Sequence, residues 1–316
     1  MITKGWKIFW IASLCGVATL FLVHWLMARD QETAVLTPKT LQGAPGKFAT
    51  LTFGDTHYQL AGPENAPLIL LIHGGGIAGL EVWSQTTPYL LRQGYRVLSY
   101  DLYGRGYSAR PEVPQSTSML HQQLVELLQY LKIDEPFHTV ALSMGSMVAM
   151  DLHRSHGELM DKIVLVDPIL TGSFNPNFLL KVPGLSDLLL TAYWYPRSIR
   201  NQRKEFVSDS VFQNYARRLS FFREFDGYKK TNHSTWLNVL PQRKLNELGG
   251  INRKNVLLIY GEQDPYFQEG QRAIYRSIFP RILHRPIPNA GHMPQYEQPQ
   301  LVNPLITDFF ANKAPI

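Results

Sequence analysis

Phe137-His138-Thr139-Val140-Ala141-Leu142-Ser143-Met144-Gly145-Ser146-Met147-Val148-Ala149-Met150 is the stretch whose reading decides the fold. An apolar run stops at Ser143, passes through Met144-Gly145-Ser146 and resumes as Met147-Val148-Ala149-Met150. The pattern predicts a buried strand over residues 137–142 that turns sharply at Ser143 into a helix.

The same signature repeats outward from this point. Leu68 to Ile72, Arg96 to Tyr100, Lys162 to Val166 and Val256 to Tyr260 are continuous apolar runs, as expected of parallel strands buried on both faces. Ile282 to Ile287 is the last strand candidate, and Lys47 to Phe53 with His57 to Leu60 predicts two short strands joined at Gly54-Asp55. Between the runs lie helical periods. The clearest places Leu120, Leu124, Leu127, Leu128 and Leu131 on one face after a Ser116-Thr117-Ser118 start. Strands alternating with helices imply a parallel, doubly wound α/β sheet.

Residues 171–245 break this rhythm with Pro183, Pro196 and many aromatics, and they predict an inserted helical cap. This segment carries 12 Lys/Arg against 5 Asp/Glu, so it holds the whole of the chain's +6 formal charge. No basic-aromatic module or phosphate loop accompanies the excess, which argues against nucleic acid and for an anionic membrane surface as partner. Cys15 is the sole cysteine, so the chain builds no internal disulfide and no cysteine-based zinc site. With 316 residues, 45% hydrophobic and 18% charged, one large domain plus an anchor is the organisation expected. Nothing in the sequence sets an oligomeric state.

The anchor is predicted over residues 1–29. From Ile8 to Met27 the chain runs 20 residues without a formal charge, with Trp6, Trp10 and Trp25 available at the interfaces. That length crosses a hydrocarbon core of about 30 Å. A cleaved signal has a shorter apolar region and a small-x-small cleavage site, and Leu26-Met27-Ala28 makes a poor one. Lys4, Lys7 and the amino terminus face Arg29 and Lys39 across the span; the expected orientation puts the N-terminus in the cytoplasm and the rest on the non-cytoplasmic side. Residues 30–46 read as a linker, and 47–316 as the folded domain.

Ala141-Leu142-Ser143-Met144-Gly145 is a small-x-Ser-x-Gly pattern, in which small residues relieve crowding where strand meets helix. Alone it also suits a serine that merely caps the next helix. His73-Gly74-Gly75-Gly76 follows the strand 68–72 and is the type of loop that supplies an oxyanion-hole amide, with His73 itself structural. Gly75, or Gly76 as the fallback, and Met144 are the expected amide donors. Asp264 lies after the strand 256–260 at a carboxyl end, where sites on such sheets form; Glu262 and Asp167 are competing acids. His292, in Asn289-Ala290-Gly291-His292-Met293-Pro294, follows the last strand candidate.

These motifs in this order, with Asp101-Leu102-Tyr103-Gly104-Arg105-Gly106-Tyr107-Ser108 among them, resemble the α/β-hydrolase family over about residues 47–312. The order Ser143, Asp264, His292 is that family's, distinct from the chymotrypsin and subtilisin orders. The resemblance implies a serine nucleophile, a histidine base and an aspartate that orients it, with Asp101 organising a turn. It implies no metal and no organic cofactor. The anchor plus capped hydrolase is similar to membrane-bound monoacylglycerol lipases and related esterases, implying a lipid-like acyl ester as substrate. Phe174, Phe178, Tyr193, Trp194, Tyr195, Phe221 and Phe222 are candidates either to line an acyl pocket or to pack the cap. The alternatives are a carbon-carbon bond hydrolase of vinylogous diketones, which the His-Gly-Gly-Gly and Ser-Met-Gly elements also resemble, and an inert binding protein of the same fold.

Overall fold

The computed structural model describes residues 4–29, 31–172, 174–246, 255–280 and 282–313. The strands are β1 (Lys47–Leu51), β2 (Gly54–Ala61), β3 (Leu68–Ile72), β4 (Arg96–Tyr100), β5 (Phe137–Leu142), β6 (Met160–Val166), β7 (Val256–Gly261) and β8 (Leu283–Ile287). They form one sheet in the order β1-β2-β4-β3-β5-β6-β7-β8. β1 pairs antiparallel with β2 and β2 antiparallel with β4; every other pairing is parallel.

Side chains alternate across this sheet, so each strand feeds two cores. Leu70 and Ile72 of β3 enter one core with Leu120, Leu124 and Tyr275 from helices Thr117–Tyr130 and Glu269–Ile278. Ile69 and Leu71 enter the other with Leu90, Val302 and Ile306 from helices Thr86–Arg92 and Pro299–Phe310. The helix Thr117–Tyr130 starts as its sequence predicts: the Ser116 side chain accepts from the Met119 amide at 3.1 Å, and Leu120, Leu124, Leu127 and Leu128 are all buried. Each fully buried leucine contributes about 1.5–3 kcal/mol.

Between β6 and β7 the chain leaves the sheet and forms the cap, with helices Leu185–Leu189, Tyr195–Gln202, Asp209–Arg223 and Tyr228–Asn238. Phe212, Tyr215, Leu219 and Phe222 from one face of Asp209–Arg223 join the second core, and this seats the cap over the carboxyl ends of the strands.

The helix Lys4–Ala28 is exposed along its length and has a mean hydropathy of 1.9 over its best window. By length and composition it suffices to cross a membrane, and a signal sequence near an amino terminus has the same character. Its carboxyl end is fastened to the cap. His24 Nε2 lies 2.8 Å from Asp187, and Gln31 Nε2 donates to the Thr191 carbonyl at 3.1 Å. Residues 31–46, polar enough to read as a linker, continue this attachment. Ala34 donates to Glu224 O at 2.9 Å and accepts from the Asp226 amide at 2.7 Å.

Candidate active site

Ser143 stands where β5 ends and the helix Gly145–His156 begins, with φ at +51°, a left-handed value that a side chain adopts only at a cost. Its backbone is fixed from both sides: its amide donates to Val166 O at 2.9 Å, and its carbonyl accepts from the Ser146 amide at 3.0 Å. The small residues around it are obligatory. A Cβ on Gly145 would sit 2.5 Å from His73 O and 2.6 Å from Ile72 O, and one on Gly74 would sit 2.9 Å from Ser143 Cβ.

The His73 loop lies against this turn. His73 is fully buried, and burial lowers its pKa to about 4, so the ring is neutral near pH 7. Nε2 accepts from the Leu102 amide at 2.8 Å, which leaves the proton on Nδ1 to donate to Gly74 O at 2.7 Å. In a trans peptide C=O and N–H point opposite ways, so pinning the Gly74 carbonyl turns the Gly75 amide away from His73. Among the described residues no hydrogen bond takes the amide of Gly75, Gly76 or Met144. Asp101 organises the neighbouring turn, accepting from the Leu80 and Tyr107 amides and from His57 at 2.7–2.9 Å.

His292 Nε2 is 2.8 Å from Ser143 Oγ, and its Nδ1 is 2.8 Å from Asp264 Oδ2. With the hydroxyl donating to Nε2, the neutral ring carries its proton on Nδ1 and donates it to Asp264. Asp264 also accepts from the Tyr266 amide at 2.7 Å. Burial would raise the Asp264 pKa, but the His292 charge and hydrogen bond, with further bonds from Asp167 and Tyr266, hold it at about 2. Burial lowers the His292 pKa, and the charge of Asp264 with its hydrogen bond, then Glu205, outweigh it, so the net shift is upward. Of the two competing acids, Glu262 is exposed, whereas Asp167 is buried beside Asp264.

Four residues that sequence reading did not single out complete the surroundings. Glu297, buried five positions after His292, accepts from the Val207 and Ser208 amides at 2.8 and 2.9 Å through Oε1, and from the Gly291 amide at 2.7 Å through Oε2. It thereby ties the His292 loop to the cap, a link reinforced by the His292 amide donating to Glu205 O at 2.7 Å. Tyr266 stacks edge-on to His292 at 4.9 Å and donates to Glu205 Oε1 at 3.1 Å. Tyr215 is fully buried, and its hydroxyl has no partner among the described residues.

Ser143 and His292 open into a cavity of about 800 Å³ whose wall includes Gly75, Met144, Tyr215 and Trp236. Of the cap aromatics considered as lining, Phe174 and Trp194 reach this cavity. Phe178 and Tyr193 are exposed, while Tyr195 and Phe222 pack in the core. Asn232 also lines the cavity and donates to Tyr228 O at 2.8 Å. Asp167, Asp264 and His292 bring potential ligand atoms within 4.8 Å of one another, as a metal site would. The donors do not fit one well: His292 Nδ1 and Asp264 Oδ2 are already bonded to each other.

The sequence pattern of the alpha/beta hydrolase fold matches residues 67–299. The chain belongs to that family. Among relatives of this hydrolase, the uncharacterized carboxylesterase nap of Bacillus subtilis (strain 168) is 24% identical over 274 residues, covering 83% of this chain and 85% of that protein. The sn-1-specific diacylglycerol lipase ABHD11 of Mus musculus is 26% identical over 271 residues, covering 80% and 83%. Among solved structures, a point mutant of the meta-cleavage product hydrolase CumD from Pseudomonas fluorescens IP01 superposes with a TM-score of 0.68 at 22% identity. The superposition covers 84% of this hydrolase and 98% of that chain, and it speaks to fold alone.

Proposed function

We propose that this hydrolase cleaves carboxylic esters, lipid-like acyl esters such as monoacylglycerols among them, through an acyl-enzyme on Ser143. The observation that carries the reading is the unbroken line Ser143 Oγ, His292 Nε2, His292 Nδ1, Asp264 Oδ2, with both links at 2.8 Å and Ser143 and His292 in the wall of the cavity. In this mechanism His292 takes the hydroxyl proton as Ser143 Oγ attacks the ester carbonyl. Asp264 holds the imidazole in the one tautomer that can accept that proton, and it stabilises the imidazolium that forms. The free amides of Gly75 and Met144 receive the oxyanion, each contributing about 2.7–4 kcal/mol to lowering the barrier. His292 then protonates the leaving alcohol, and water enters to release the acid by the same steps in reverse.

A lipid-like substrate is supported by the apolar part of the cavity wall, with Leu142, Ile169, Phe174, Leu180, Trp194 and Trp236, and by the apolar helix Lys4–Ala28. In this reading residues 1–29 tether the chain to a membrane, and the domain 47–316 carries its cap at about 171–245. The test compares wild type with Ser143→Ala on para-nitrophenyl esters and monoacylglycerols of graded chain length, with fluorophosphonate labelling in parallel. Labelling and cleavage by the wild type alone support the reading, and a folded wild type inert in both assays overturns it. The His73-Gly74-Gly75-Gly76 loop and the Ser143-Met144-Gly145 turn, which also resemble those of carbon-carbon bond hydrolases, carry a second reading, hydrolysis of a carbon-carbon bond. A vinylogous diketone cleaved faster than any ester would establish that instead.

A further inference from the structure

Resting on that serine-hydrolase reading, we propose that Asp167 is a positioning residue and a reserve acid: it shares one proton with Asp264 and takes over His292 when Asp264 is removed. Asp167 follows β6 directly, the strand next to the one that leads to Asp264, and Val166 is in register with Ile259. Its backbone is left-handed, with φ at +41°, a strained setting for a residue with a side chain. Both of its carboxylate oxygens lie near the Gly261 amide, at 3.2 and 3.3 Å. It is fully buried and makes no ion pair with a lysine or arginine among the described residues.

A carboxylate so placed needs a proton or a partner. Its neighbour is Asp264, and the ligand atoms of Asp167, Asp264 and His292 all fall within 4.8 Å. Two carboxylates this close in a buried site do not both ionise. Asp264 faces the better donors, the His292 Nδ1–H and the Tyr266 amide, so it holds the charge. The proton stays on Asp167, whose pKa is driven well above the ordinary range by burial first and by the Asp264 charge second. The other groups acting on the trio are Arg272, which weakly favours ionised Asp167, and Glu205 beside His292.

In the intact enzyme the Asp167 proton takes no part in the transfer from Ser143 to His292; it fixes the Asp264 carboxylate in place. Removing Asp264 changes the balance. Asp167 then releases its proton to solvent and, with its ligand atom within 4.8 Å of that of His292, accepts the hydrogen bond from Nδ1–H and faces the imidazolium.

The experiment measures kcat/KM for a para-nitrophenyl ester and the fluorophosphonate labelling rate from pH 6 to 9 in Asp264→Ala, Asp264→Asn and Asp264→Ala/Asp167→Asn. Circular dichroism checks each fold. Loss of an orienting acid typically costs about 10⁴ in rate. Asp264→Ala is expected to lose only about 10², with its acid limb moved to higher pH because Asp167 must ionise; the double variant falls by the full factor. Asp264→Asn, whose amide fills the space and offers His292 a donor, is expected to be slower than Asp264→Ala. A gap of tenfold or more between Asp264→Ala and the double variant supports the proposal, and a smaller gap overturns it. Should Asp167→Asn impair folding, the order of Asp264→Ala and Asp264→Asn decides: the asparagine variant equal or faster overturns the proposal. Failure of the serine-hydrolase reading is separate, since it would appear as an inert wild type.

Discussion

Glu297→Gln tests the idea that the base loop is held by one buried carboxylate. The amide keeps a single acceptor, best placed at the Oε1 position, where the Val207 and Ser208 amides donate. Those two bonds persist but lose their charge, about 1 kcal/mol each. The new NH₂ then confronts the Gly291 amide, which loses its acceptor and stays buried, at about 1–3 kcal/mol. The sum is about 3–5 kcal/mol. At roughly 2.1 cal/mol/K per residue, a chain of 316 residues shifts by about 1.5 °C per kcal/mol, so Tm should fall by about 5–8 °C. Because Gly291 precedes His292, the proposed base, ester turnover well below Tm should fall as well, on the order of 10²-fold for an ångström of displacement. Differential scanning fluorimetry and kcat on one ester suffice. A Tm within 1 °C of wild type and a rate within twofold would refute the reasoning.

Three further outcomes are expected. Gly145→Ala gains about 1 kcal/mol of helix propensity but drives a Cβ into the carbonyls of Ile72, the last residue of β3, and His73, so it should be net destabilising by about 1–2 kcal/mol and lose more than tenfold in activity; an active, stabilised variant contradicts the close approach. Tyr215→Phe removes a buried hydroxyl that has no partner among the described residues, so Tm should hold or rise while kcat/KM falls roughly two- to tenfold if the hydroxyl meets substrate; unchanged kinetics exclude that contact. Glu205→Gln removes a negative charge that raises the His292 pKa, so the acid limb of kcat/KM should move to lower pH, and an unmoved limb rules out the coupling.

What the sequence makes legible follows from which forces are local. The interior strands are buried on both faces, so β3 reads as Leu-Ile-Leu-Leu-Ile and its limits match the apolar run residue for residue. Ser143 was legible because the turn that exposes it requires small neighbours in sequence, and Asp264 and His292 because each follows a recognisable strand. Glu297, Tyr215 and the pairing of Asp167 with Asp264 were not. Their partners lie in other segments, and no periodicity marks a carboxylate that meets amides about 90 residues away. The cap is legible as an interruption, but the sequence does not sort its aromatics. Which of Phe174, Phe178, Tyr193 and Phe222 face the cavity depends on how short helices cross, a tertiary matter. Residues 31–46 have a linker's composition, yet Ala34 pairs with backbone across the cap, an interaction blind to side-chain type.

The contacts between the first helix and the cap fall close to the cavity. Asp187 and Thr191, which hold His24 and Gln31, lie in the same stretch of cap as Trp194, a wall of the cavity. The end of the helix and the roof over Ser143 are therefore neighbours along one short stretch of backbone, so a substitution at Asp187 or Thr191 would touch both.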